Sequence, residues 1–156
     1  MKAGKLLGAV LVMVCVAAGC GFNPMFAVYD NNAKIAGDTN TYNLSNYEQV
    51  QSDLHFTASV GKMEGMDTIW VLDAEEDMTV DITYQLSVFS GKMKLVLIDP
   101  EKEVSVIVEC DSEMEETVQS TLDVKKGNNR IKIVAAENTQ FDIDMTLSAG
   151  GLKELG

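Results

Sequence analysis

Positive charge is scarce in this chain. Its 156 residues hold 12 Lys plus Arg against 24 Asp plus Glu, a formal charge of −12. Nucleic acid is excluded as the expected partner, because phosphate binding needs clustered cations. Histidine occurs once, as His55, and no G-x-S-x-G elbow is present. A hydrolase triad needs a nucleophile, a base and an orienting group, and a lone His at the start of a strand reads as structural. Aromatic residues make up 6%, with Trp70 as the single tryptophan. No stretch holds a 3.6-residue apolar period, and no repeat of solenoid length is visible. What is abundant is apolar residue, at 46%. That is enough for one globular domain with a buried core and argues against global disorder.

The N-terminus reads as an address. Lys2 and Lys5 precede an apolar run from Leu6 to Ala18. The run is shorter than the roughly 20 residues a spanning helix needs. A basic start, a short apolar stretch and small residues before a cut site describe a secretory signal. The string Ala17-Ala18-Gly19-Cys20 resembles the lipobox of a bacterial lipoprotein precursor, with Ala17 where that family prefers Leu. The resemblance implies a signal peptide over 1–19, cleavage between Gly19 and Cys20, and diacylglycerol and palmitate on the Cys20 thiol. Membrane lipid would then be a partner through Cys20, and the chain would sit on the extracytoplasmic face of a cell membrane. Two acyl chains anchor stably where one binds marginally. Losing Lys2 and Lys5 makes the mature chain two units more negative. Cys15 leaves with the signal and Cys20 is acylated, so Cys110 has no partner for an intramolecular disulfide.

Residues 20–53 have a polar texture, with Asn31, Asn32, Asp38, Asn40, Asn43 and Asn46 close together. The composition predicts an extended, partly ordered tether. Ser45 and Glu48 have the spacing of a capping box for one helical turn. Tyr29, Tyr42 and Tyr47 are placed to dock the tether on the domain.

Residues 54–150 read as strands. Phe56, Ala58 and Val60 alternate with polar residues, and Ile69 to Leu72 is a continuous apolar run. Val80, Ile82, Tyr84, Leu86 and Val88 give the cleanest alternation, one face buried and one wet. Further strands are predicted at Met93–Ile98, Val104–Val108, Val118–Val124, Ile131–Ala135 and Phe141–Leu147, with turns at Ser90-Gly91, Asp99–Lys102 and Lys125–Asn129. About eight short strands predict an all-β fold, an antiparallel β-sandwich, with residues 151–156 as a tail. Its expected core includes Leu95, Leu97, Val106, Leu122, Ile131, Ile133, Phe141 and Ile143.

The stretch Lys94-Leu95-Val96-Leu97-Ile98-Asp99-Pro100 and the later Lys126-Gly127-Asn128-Asn129-Arg130-Ile131 resemble jelly-roll sandwiches of exported bacterial proteins. Carbohydrate-binding modules and pre-peptidase C-terminal domains are such sandwiches, and fold alone does not settle function among them.

Chemistry is sparse. Asp142 and Asp144 share one strand face, and Asp73, Glu75, Glu76 and Asp77 fill a turn; either set would offer oxygen ligands to a structural calcium. A solvated acidic face is the simpler reading, and no other cofactor is expected. Met63 and Met66 have thioethers suited to Cu(I), against the simpler reading of core filling. A glycan platform would draw on Trp70 and Tyr84. The apolar neighbours of Trp70 argue instead for burial. The reading is a non-catalytic lipoprotein domain binding a surface partner, protein or polysaccharide, with glycan binding as its alternative and a carboxylate-only hydrolase as a third.

Overall fold

The computed structural model of the chain describes residues 26–156. The signal segment, Gly19 and Cys20 lie outside the described residues. Eight strands follow a short 3-10 turn, Phe26–Val28, and one helix, α1 (Asn32–Ile35). They are β1 (Thr41–Ser52), β2 (His55–Ala74), β3 (Met78–Ser90), β4 (Met93–Ile98), β5 (Val104–Cys110), β6 (Val118–Val124), β7 (Gly127–Leu147) and β8 (Gly151–Leu152). Every strand pairing is antiparallel. Among the described residues no helix is long and apolar enough to cross a membrane.

The frame is the pairing of β2 with β7, from His55↔Thr146 to Ala74↔Gly127. Each long strand serves two layers. The first half of β2 and the second half of β7 lie with β1, β3 and β6. Their other halves lie with β4, β5 and β8. Register shifts between Val60 and Gly65 mark the transition on β2. Bulges bend a strand without ending it. At this bend Gly65 sits at φ 105°, a left-handed conformation, against the backbone of Thr41 and Tyr42.

The core fills the space between the layers. Phe56, Val60, Ile82, Leu86, Leu95, Ile133 and Phe141 are all fully or nearly fully buried. Trp70 is also 0% exposed, and its Nε1 donates to the Ala149 carbonyl at 2.8 Å. One expected core residue faces water: Val106 is 54% exposed. A bulge opposite Leu95 and Val96 displaces the alternation of β5, so Ile107 and Val108 pack on the core instead.

The tether expected over 20–53 is replaced, for its described part, by a packed strap and a strand. Val28, Tyr29, Ile35 and Ala36 form a second cluster with Met66, Val96, Ile98, Val134 and Ala136, on the outer face of the second layer. The polar residues around them follow from local geometry. Asn31 Oδ1 accepts the Lys34 N–H at the start of α1. The last carbonyls of a helix lack internal partners. Here Arg130 donates to Ala36 and Gly37 carbonyls at 2.8 and 2.9 Å, and Lys132 Nζ donates to Gly37 and Thr39 carbonyls at 2.8 and 3.1 Å. The Tyr29 ring lies beneath two ammonium groups, Lys92 Nζ at 4.4 Å and Lys94 Nζ at 4.6 Å. Ser45 and Glu48 lie in β1, so the expected capping turn is absent. At the other end the expected tail contributes β8 and the buried Leu155.

Burial lowers the Lys132 amine to about 8, and Arg130 beside it pushes the same way, against Asp38 and Asp67. Between pH 8 and the ordinary lysine value near 10.5 the unfolded chain binds more protons at this group, so stability rises with pH. Tyr29 is shifted upward, by burial first and then by its hydrogen bond to Glu109, and acts in the opposite sense only above about pH 10. Urea unfolding at pH 7.5, 8.5 and 9.5 should therefore show wild type gaining stability relative to Lys132→Met. A flat or falling difference would contradict the burial of this charge.

Gly150 stands at φ 98°, and a Cβ there would enter the indole of Trp70. Gly150→Ala should cost about 2 kcal/mol or more, from positive-φ strain and overpacking together. An unchanged urea midpoint would show that the Trp70 pocket is looser than described.

Candidate functional site

The water-facing side of the first layer carries the candidate site. Outward positions on β1, β2, β7 and β3 line up in rungs. One rung runs Glu48, Ser59, Asp142, Ser87 and ends at Glu113. The next runs Val50, Thr57, Asp144, Gln85. A third runs Ser52, His55, Thr146, Thr83 and Gln119. Neighbouring strands are about 4.8 Å apart, so a rung across four strands spans about 14 Å. The first two rungs line an open groove of about 490 Å³.

The strands explain why these side chains converge. The buried residues of β3 are Val80, Ile82, Tyr84, Leu86 and Val88, which forces Thr83, Gln85 and Ser87 outward. Burial of Phe141, Ile143 and Met145 does the same for Asp142 and Asp144. The acidic loop after β5 supplies a side wall. Val88 N–H donates to the Ser112 carbonyl and Met114 N–H to the Leu86 carbonyl, so the loop continues the edge that β6 leaves open. Gln85 is fixed within it: its Nε2 donates to the Met114 carbonyl at 3.4 Å, and Thr117 Oγ1 donates to its Oε1 at 3.1 Å.

His55 Nε2 lies 2.8 Å from Asp144 Oδ1, and both side chains are exposed. The pair orients one carboxylate of the groove. Glu48 and Asp142 have no hydrogen-bond or ion-pair partner among the described residues, so their oxygens are free to accept. No Lys or Arg lines the groove. The site therefore offers acceptors from carboxylates, mixed groups from Gln85, Ser59, Ser87 and Thr57, and an apolar contact from Val50.

Trp70 and Tyr84 do not form a glycan platform. Both are buried, Trp70 in the core and Tyr84 at 6% exposure, and a ring without an open face cannot stack on a sugar. Met63 and Met66 do not converge either: Met63 packs between the layers and Met66 under the strap. The calcium candidates Asp142 and Asp144 are present as neighbours on one face. Asp77, in the other acidic turn, accepts the Lys126 N–H. A further trio, Asp99, Glu101 and Glu103, brings its oxygens within 4.8 Å of one another. Lys125 Nζ lies 2.7 Å from Asp99 and Glu101 and 3.9 Å from Glu103, so a cation of the chain already occupies it. That ammonium and backbone N–H groups hold the Asp99 carboxyl below its ordinary range, overriding its partial desolvation. Cys110 is buried and donates its thiol to the Ser112 carbonyl at 2.8 Å, which places it in the wall-loop anchor.

No protein-family model and no curated protein matches the chain. Solved structures with a similar strand layout include a carbohydrate-binding module of Cellvibrio mixtus lichenase 5A in complex with cellotriose, at TM-score 0.40 and 12% identity, over 70% of this chain and 91% of that one. A family 35 carbohydrate-binding module from an environmental isolate aligns at TM-score 0.39 and 19% identity, over 76% of this chain and 90% of that one. PirA aligns at TM-score 0.41 and 13% identity, over 63% and 96%.

Proposed function

We propose that the domain is a non-catalytic polysaccharide-binding β-sandwich, displayed outside a bacterial membrane by lipid on Cys20. The observation that supports the first half is the polar groove across β1, β2, β7 and β3. Sugar hydroxyls are donors as well as acceptors, and carboxylates are strong acceptors for them. Glu48, Asp142 and Asp144 offer such oxygens, Gln85 is held by two hydrogen bonds, and of the groove strands β2 and β7 are paired on both sides. A pre-set site loses little ordering entropy on binding. With exposed rings absent from the lining, recognition is by hydrogen bonds, with Val50 against an apolar sugar edge. The open shape suits a polymer chain, which crosses a groove, better than an isolated small molecule, which is bound in an enclosing pocket. The support for the second half is the signal-like sequence and the lipobox-like string ending at Cys20.

A protein partner is the second reading. It draws on the open edge of β5, where Val106 is exposed on a strand paired on one side only.

Affinity electrophoresis of residues 26–156 through gels containing neutral β-glucan, galactan, mannan or soluble chitin derivatives tests the binding. Retardation by at least one polymer is expected. Asp142→Ala and Gln85→Ala should each weaken it about tenfold, the loss of one hydrogen bond to a charged or fixed group. Mobility unchanged in every polymer would contradict the reading. For the anchor, Cys20→Ser should abolish incorporation of labelled palmitate, and continued incorporation would refute acylation at that thiol.

A further inference from the structure

We infer that the strap side of the domain faces the membrane and the groove faces away from it. This rests on the proposed lipid at Cys20; the orientation itself comes from where the strap is packed. The turn Phe26–Val28 and α1 are packed on the outer face of the second layer. The groove lies on the outer face of the first layer, on the far side of the core.

Chain geometry makes this placement decisive. Cys20 and Phe26 are six residues apart, and a chain reaches at most about 3.5 Å per residue, so the leash spans at most about 20 Å. A domain of about 130 residues has a radius of gyration near 14 Å, or about 36 Å across as a solid sphere. The leash cannot carry the lipid from the strap around to the groove side. The strap is also fastened: Arg130 and Lys132 hold the Ala36, Gly37 and Thr39 carbonyls, and Ile35 is fully buried. Peeling it off to lengthen the leash would break these hydrogen bonds and expose the apolar cluster of Val28, Ile35, Met66 and Val134 to water.

Charge acts in the same direction. Glu48, Asp142 and Asp144 on the groove side are repelled by an anionic headgroup layer and have no Lys or Arg beside them, while on the strap side Asp38 is paired with Lys102 and Arg130, Glu109 with Lys92, and Lys34 stands close to Asp30 in sequence. A short leash thus does what a long tether would not. It holds the body against the bilayer and leaves the groove open to polymer outside.

The test uses the full lipidated chain in vesicles of phosphatidylethanolamine and phosphatidylglycerol that contain a nickel-chelating lipid. On a Cys110→Ser background, a nitroxide is placed by Ala33→Cys on the strap or by Thr146→Cys on the groove side, both exposed positions. The expected result is relaxation by surface nickel several-fold faster at position 33 than at 146. Inserting twenty Gly and Ser residues between Pro24 and Met25 should bring the two rates together. Equal rates in the uninserted protein, or a faster rate at 146, would overturn the orientation while leaving the anchor intact. A chain that fails to float with the vesicles would overturn the anchor reading, and the orientation with it.

Discussion

Everything in this domain hangs on one ladder, the antiparallel pairing of β2 with β7. Twenty residues of β2 meet twenty-one of β7, and both sheets of the sandwich are built outward from that pair. On one half the flanking strands are β1 and β3, and on the other β4. The constraint is geometric. Side chains alternate across a strand, so a ladder covered on its inner side must show its other side outward. On the first half that outer side is left to water and becomes the groove. On the second half it is covered by the strap. A single residue of slip would exchange the two sides and bury Asp142 and Asp144, and from His55↔Thr146 to Val60↔Phe141 the ladder runs without a register shift.

The strap shows how a polar segment packs. Its apolar contribution is small, chiefly Val28, Tyr29 and Ile35, and burial of a few such side chains gives about 1.5–3 kcal/mol each. The remainder is polar but satisfied. Lys132 and Arg130 are buried charges, and a buried charge is tolerated when its donors meet acceptors. Here the acceptors are the Ala36, Gly37 and Thr39 carbonyls, at and just after the end of α1. Each side solves the other's desolvation problem, so strap and sheet are stable together and costly apart.

Much of the fold was legible from residue pattern. The alternation of Val80 to Val88 placed β3 with its inner and outer faces assigned correctly, and the apolar neighbours of Trp70 argued for the burial that the fold shows. Two things were hidden. The segments around Phe56 and Trp70 belong to one strand, as do those around Ile131 and Phe141, because β2 runs on through the register shifts between Val60 and Gly65 and β7 through the residues opposite, where Asn138 stands at φ 54°. The strap was hidden because Asn-rich composition signals solvation on average, whereas three apolar residues at the right places decide the matter. The groove was half visible. Asp142 and Asp144 stand out as outward residues of one strand, but their alignment with Gln85, Ser87, Thr57 and Glu48 depends on register between strands far apart in sequence. No local pattern carries that information. His55 read as structural, and its contact with Asp144 across the β2–β7 pairing is an instance of the same non-local register.

The most direct test of the central claim is a titration followed by backbone amide resonances. Residues 26–156 labelled with nitrogen-15 would be titrated with cello-, laminari-, galacto-, manno- and chito-oligosaccharides. At least one series is expected to shift the amides of Thr57, Ser59, Gln85, Ser87, Asp142 and Asp144 together, while those of the strap and β5 stay in place. Shifts centred on β5 or the strap, or no saturable shift with any series, would contradict the assignment of the groove as a glycan-binding site.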